Sequence, residues 1–373
     1  MITKVGWGFG RCNMRCAHCY NASSLAGQIP VYSAEVLKSV ADRICPGIKD
    51  INFGTGEFLC NPNVLDLIRH IRANYPRVDM SVTTNGYTIV QMDPAEVKSI
   101  FNDVDVSLDF PDEARHNGFR VHPKAWEWAT SAMEILRNLR IQHTVVTCVT
   151  SQTTDADLLG LLSMADRYQA FMRINWYRQV GRGVSGGLRI TAARAWEIVE
   201  LLAPRVIFSS LDPVFAGPLG VKCQCCPAGV KSARIHQDGS VTAYPFLKGP
   251  EWTAGNILDS ATTLDTIHVS AAFTRLRERP LPAVCVTCPF AKSCKGGCVT
   301  RAALHNGGIG EVDDYCPVTS GLLGRVEKLR GKVIVQKQGN LVHDGYLCTT
   351  IMKPNPLFAV PSANGTTEKG GVR

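Results

Sequence analysis

Residues Cys12-Asn13-Met14-Arg15-Cys16-Ala17-His18-Cys19 form a C-x3-C-x2-C run directly after a short apolar segment. Three thiolates this close can fold around one iron–sulfur cluster, yet the run offers three ligands where a 4Fe–4S cluster usually takes four. One iron would be left open, and an open coordination position marks a catalytic rather than a structural metal. The competing reading is a zinc knuckle with His18 as fourth ligand. His18 lies between two cysteines of a tight loop, where joining them on one ion is sterically poor.

The chain has 373 residues, 45% of them apolar and 19% charged. That is enough for a sizeable core and more than one ordinary domain needs. Of its 15 cysteines, eleven fall within 12–19 and 223–316. Grouped cysteines in a long chain without a secretory pattern are metal or cluster sites of a reducing compartment, so a cytoplasmic location is expected. No run approaches the ~18 apolar residues of a membrane span. The net charge of +8 is diffuse, with no basic run interleaved with aromatics, which argues against nucleic acid.

Outward from the cysteine run, strand and helix patterns alternate. Strands are expected over 2–8, 50–53, 78–83, 104–108, 144–150 and 171–176. Helical patterns lie between them, the first capped by Ser33. This pattern predicts an α/β fold, a partial (β/α)6 TIM-like barrel with parallel strands and helices outside. Chemistry in such barrels sits at the C-terminal ends of the strands. The cysteine run follows the first strand, Gly54-Thr55-Gly56-Glu57 the second and Thr84-Asn85-Gly86 the third. Ser107 and Asp109 close the fourth, so all fall on one rim.

The cysteine run resembles the cluster motif of the radical SAM superfamily. There the open iron is chelated by S-adenosylmethionine (SAM). The resemblance implies that Cys12, Cys16 and Cys19 hold a 4Fe–4S cluster, and that reductive cleavage of SAM gives a 5′-deoxyadenosyl radical. Gly54-Thr55-Gly56-Glu57 is similar to the family's Gly-Gly-Glu-Pro turn for the SAM ammonium, with Thr55 and Phe58 departing from it. By the same resemblance Asn85 follows, Ser107 and Asp109 hold ribose hydroxyls, His18 and Tyr20 line the adenine side, and Arg173 pairs with the SAM carboxylate. Gly181-Arg182-Gly183 resembles a segment after the family's sixth strand; a glycine-rich surface loop explains it equally well.

The second group contains Cys285-x2-Cys288-x5-Cys294-x3-Cys298 and Cys316, after Cys223, Cys225 and Cys226 and a hairpin with Asp238-Gly239 as its turn. It resembles the SPASM domain, a cysteine-rich carrier of auxiliary iron–sulfur clusters; a zinc ribbon is the competing reading. The resemblance assigns Cys285, Cys288, Cys294 and Cys316 to one auxiliary cluster, and Cys298 with Cys223, Cys225 and Cys226 to a second. Tyr244 stands where the family has a cysteine, so the second cluster has an unusual ligand set, has an open iron, or is absent. The expected divisions are 1–190 for the barrel, 191–222 for a bridging helix and linker, 223–320 for the SPASM-like domain, 321–352 for a C-terminal segment and 353–373 for a disordered tail.

Relatives of this kind mostly modify ribosomally made precursor peptides (RiPPs) by cross-linking, epimerisation or backbone excision, the last in spliceases. With the motif starting at residue 12, a separate peptide-recognition protein is the expected partner, besides an external electron donor. Cys60 and Cys148 are the candidate hydrogen-atom donors an epimerase would need, buried packing being the plain alternative. Two other classes compete: a small-molecule dehydrogenase or epimerase acting on an aminocyclitol or sugar, and a non-catalytic metal scaffold.

Overall fold

Every second residue of the early strands is small or polar. Strand β1 (Lys4–Gly8) is KVGWG, β2 (Asp50–Gly54) DINFG, β3 (Asp79–Thr84) DMSVTT and β4 (Asp103–Ser107) DVDVS. Strands β5 (Gln142–Val149) and β6 (Phe171–Trp176) complete a parallel series. Side chains alternate between the two faces of a strand. Val5, Trp7, Ile51, Phe53, Val82, Val104, Val106, Val145 and Met172 therefore share one face, and all lie in the main hydrophobic core. The opposite face carries Asn52, Thr83, Ser107, Cys148, Arg173 and Asn175, which line one cavity. A parallel sheet normally buries apolar residues on both faces; here one face is kept polar for a ligand.

The computed structural model describes residues 1–26, 28–185, 187–221, 226–336, 341–343, 346 and 349–357. Helices α1 (Ala34–Ile44), α2 (Val64–Asn74), α3 (Tyr87–Gln91), α4 (Pro94–Ile100), α5 (Glu113–Arg120), α6 (Ala125–Leu139) and α7 (Asp155–Arg167) connect the six strands. Ser33 caps α1 by accepting from the Val36 N–H, and Thr154 forms a capping box with Asp157 on α7. Each satisfies amide donors that a helix start leaves open.

The six parallel strands sit within one eleven-stranded sheet, ordered β10-β9-β8-β1-β2-β3-β4-β5-β6-β11-β7. Beyond α8 (Ala192–Leu202) come β7 (Val206–Ser210), β8 (Ser232–Ile235), β9 (Ser240–Thr242), β10 (Thr253–Asn256) and β11 (Thr350–Pro354). The expected hairpin is β8–β9, and β8 pairs with β1 in parallel, with Gly6 opposite Arg234. The cysteine-rich unit is thus hydrogen-bonded to the barrel.

Two expectations need correcting. Strand β7 falls inside 191–222, where a helix and linker were expected. Lys353 and Pro354, assigned to the tail, belong to β11, which runs antiparallel between β6 and β7. The rest of that tail, from 358 on, lies outside the described residues, as do Cys223 and Cys225. The C-terminal segment also reaches under the barrel. There the Tyr346 hydroxyl donates to the Val5 carbonyl at 3.1 Å, and both His343 ring nitrogens lie 3.1 Å from a carboxylate oxygen, of Asp103 and Asp105. Among the described residues no helix is long and apolar enough to cross a membrane.

Candidate active site

The cavity at the C-terminal ends of the strands holds about 1460 Å³ of free space, its open mouth included. Cys12, Cys16 and Cys19 all line it and form no disulfide. The loop carrying them is held from several sides. Arg182 donates to the carbonyls of Cys16 and Ser23, each at 2.8 Å, and its own N–H reaches the Cys19 carbonyl at 3.0 Å. Gly181 lets this clamp close: a Cβ there would sit 2.3 Å from the Tyr20 carbonyl oxygen. The Gly-Arg-Gly segment is therefore a brace of the cysteine loop and not a free surface loop.

The turn after β2 closes on the same loop. Gly56 has φ +89° and its Cβ would meet the Arg11 carbonyl oxygen at 2.3 Å. Only glycine fits so close an approach. Thr55 takes φ +68°, a conformation that β-branched residues rarely adopt. Its hydroxyl is 2.6 Å from the Tyr20 hydroxyl and also meets Arg234.

Glu57 has a different task from the one expected. Its buried carboxylate accepts from Thr84 Oγ1 at 2.5 Å, Asn85 N at 2.8 Å and Thr88 N at 2.9 Å. Burial pushes its pKa up, against these donors. It fastens the turn after β2 to the turn after β3. Asn85 also donates to Asn13 Oδ1 at 2.8 Å, tying the third turn to the cysteine loop.

Asp109 needs correction. It is fully buried and does not line the cavity. Its Oδ2 accepts from Arg120 Nε at 2.6 Å and its Oδ1 from the Cys148 N–H at 2.8 Å. Burial raises its pKa, but Arg120, then His18 and His116, outweigh this and hold the carboxyl below its ordinary value. With its carboxylate engaged away from the cavity it is not available to ribose hydroxyls; Ser107 does line the cavity. Arg120, which sequence reasoning missed, occupies the cavity wall and lies beside Cys16.

The other expected residues divide similarly. His18 lines the cavity and stacks on Phe119 with ring centroids 4.4 Å apart. Burial pushes its pKa down to about 4, so the ring is neutral at pH 7 and presents an apolar face. Tyr20 and Gly54 line the cavity. Arg173 does too, but its guanidinium is already paired with buried Asp105. Cys148 lines the cavity and burial raises its pKa. Cys60 lies outside it, its thiol pushed up to about 11 by burial.

The second cysteine group also converges. Cys285, Cys288, Cys294 and Cys316 line one small cavity. Cys226 and Cys294 line a neighbouring one. Cys298 is fully buried, with its sulfur 3.0 Å from Thr300 Oγ1 and 3.4 Å from Arg178 Nη2. Tyr244 is buried with its ring 5.6 Å from that of Phe246. The donor set fits the implied cofactors in two respects. Cys12, Cys16 and Cys19 line the main cavity with no disulfide among them, and glycines at 56 and 181 let the neighbouring turns close on their loop.

Residues 8–165 match the family model of the Radical SAM superfamily. Mycofactocin maturase MftC of Mycolicibacterium smegmatis is 27% identical over 299 residues, covering 77% of this chain and 75% of that protein. The antilisterial bacteriocin subtilosin biosynthesis protein AlbA of Bacillus subtilis is 25% identical over 312 residues, covering 79% of this chain and 66% of that one. The solved structure of native anSMEcpe with bound AdoMet and Kp18Cys peptide superposes with a TM-score of 0.65 at 18% identity, covering 89% of this chain and 100% of the other. A likeness at that identity speaks for the fold.

Proposed function

We propose, from the match of residues 8–165 to the radical SAM family model, that this chain is a radical SAM enzyme that modifies a ribosomally made precursor peptide by hydrogen-atom abstraction. The observation that carries the reading is the single cavity in which Cys12, Cys16 and Cys19, the turn at Gly54–Glu57, and residues of the C-terminal unit such as Ala243 and Phe246 all meet. The similarity to a maturase and a bacteriocin biosynthesis protein supports a peptide substrate.

Cys12, Cys16 and Cys19 would hold a 4Fe–4S cluster, leaving one iron for SAM. Bound there, the pair supplies a 5′-deoxyadenosyl radical on one-electron reduction by an external donor. The chain's own residues bind and orient. The backbone of Gly54, Thr55 and Gly56 would take the methionine end of SAM, Asn85 and Ser107 its nucleoside, and His18 with Tyr20 would line the adenine side. The enclosing walls exclude water, which protects a reactive radical. Cys148, which lines the cavity, would be the donor of a hydrogen atom to a substrate radical, whereas Cys60 lies outside the cavity. Cys285, Cys288, Cys294 and Cys316 would hold an auxiliary cluster. Cys226, Cys298 and the pair Cys223 and Cys225 are the candidates for a second.

The test is co-expression with the small open reading frames beside this gene, with and without a neighbouring candidate recognition protein, followed by peptide mass spectrometry. A peptide that loses two hydrogens, loses a fragment, or gains solvent deuterium at an α-carbon supports the reading and names the outcome. Unchanged peptides alongside continued SAM cleavage would overturn it.

A further inference from the structure

Arg234 enters the cavity from β8, outside the segment that matches the family. It stands opposite Gly6 in the β1–β8 register, and its guanidinium lies over the space that Gly6 and Gly54 leave open. A Cβ at Gly6 would be 2.4 Å from Arg234 Nη1. One Nη2 hydrogen bond goes to the Thr55 hydroxyl, and the buried Nε has no partner.

The charges around it are uneven. Of the other arginines of the cavity wall, Arg178 bonds to the Trp176 carbonyl, Thr300 and the Cys298 sulfur, while Arg120 and Arg173 carry their own carboxylates, Asp109 and Asp105. Arg234 has none among the described residues. Arg234 is partly exposed at the cavity, so its head can meet an incoming group, and a guanidinium's planar fork matches a carboxylate. Thr55 adds a second, independent sign. Its left-handed backbone is unusual for a β-branched residue and persists only where the surroundings over-determine it. What its side chain does there is hold Tyr20 and Arg234.

We propose that Arg234, positioned by Thr55, is the anion anchor at the substrate end of the cavity and takes a carboxylate of the substrate. A single guanidinium balances a single charge, which favours a carboxylate over a phosphate dianion. The site's neighbours Pro245, Phe246 and Tyr346 also come from outside residues 8–165. The assignment rests on the peptide reading above only in its source: on a peptide, the group is an Asp or Glu side chain or the chain's C-terminus.

The test uses the full-length, cluster-loaded protein saturated with SAM, and 13C-acetate as the probe, followed by NMR line broadening. Saturable broadening is expected in the wild type. Arg234→Gln and Thr55→Gly should each weaken it about tenfold or more, the range of one lost charged hydrogen bond, while Arg234→Lys recovers part. Glycine relieves the left-handed strain, so Thr55→Gly should also raise the melting temperature, and its loss of acetate is not misfolding. Acetate binding that is absent, or indifferent to Arg234→Gln, overturns the proposal. So does acetate binding that appears only when SAM is left out, because the anchor then serves the SAM carboxylate. If co-expression yields no modified peptide while acetate still binds through Arg234, the peptide reading falls and the anion anchor stands. Comparing free-acid with amidated forms of a modified peptide then separates a terminal from a side-chain carboxylate.

Discussion

Three buried side chains make single substitutions informative. Glu57 meets only donors, so Glu57→Gln turns an amide NH2 toward at least one of Thr84, Asn85 or Thr88. Each unmatched buried group costs about 1–3 kcal/mol. Urea unfolding should show a loss of that size, with SAM affinity falling because both rim turns loosen. Arg301 lies between Asp212 and Asp313, all three fully buried, with contacts from 2.6 to 3.0 Å. Arg301→Ala leaves two carboxylates facing each other and should cost about 3–5 kcal/mol by the same measurement. His116 accepts from the Asp109 N–H, and burial, then Arg120, pushes its pKa down to about 3 from 6.5. The unfolded ring takes up a proton that the folded ring refuses, so stability is fully present above pH 6.5 and falls as pH drops toward 3. His116→Gln should therefore remove about 2 kcal/mol of the stability difference between about pH 8 and pH 5. An unchanged difference would show that another group sets it.

At the scale of elements, β1 to β6 were legible because the signals are local. Strands β1 to β4 have period two and end at Gly8, Gly54, Thr84 and Ser107. The observed ends differ from the expected ones by a few residues at most. Strands β7 and β11 were not legible. Each has five residues, and they pair across 141 to 148 positions, from Ile351 with Ser210 to Pro354 with Val206; no window of sequence carries that information. Asp109 was misplaced for a related reason. Its position at a strand end is local, whereas its burial depends on Arg120 of α5, a helix with weak apolar periodicity. The same long-range logic predicts the effect of truncation. Ending the chain before Leu341 removes β11 from between β6 and β7, and removes His343 from between Asp103 and Asp105. Such a chain should be insoluble, or lose most of its cooperative unfolding by circular dichroism. Native-like melting would show that the C-terminal segment is dispensable.

For the whole molecule, the continuous sheet joins the cysteine-rich unit to the barrel through β8 on β1, and the Asp212–Arg301–Asp313 cluster pins its far side. The unit is therefore a fixed wall of the cavity, supplying Arg234 and Phe246. The rim position of the first three cysteines could be read from spacing and strand order. The cavity's arginines could not, because an arginine's partner is set by packing. The auxiliary cluster is tested by counting atoms: with Cys288→Ala, bound iron and sulfide should each fall by about four per chain, while the SAM-dependent signal of the first cluster persists. An unchanged count would remove the auxiliary assignment.

The central claim, that Cys12, Cys16 and Cys19 build a centre for reductive SAM cleavage at the mouth of this barrel, rests most directly on one product. Full-length protein, reconstituted with iron and sulfide without oxygen, is given SAM and a strong one-electron reductant, and 5′-deoxyadenosine is quantified beside the Cys16→Ala variant. The account predicts 5′-deoxyadenosine and methionine in equal amounts from the wild type and neither above background from the variant. Equal yields from both proteins, or none from a wild type shown to hold its cluster, would contradict it.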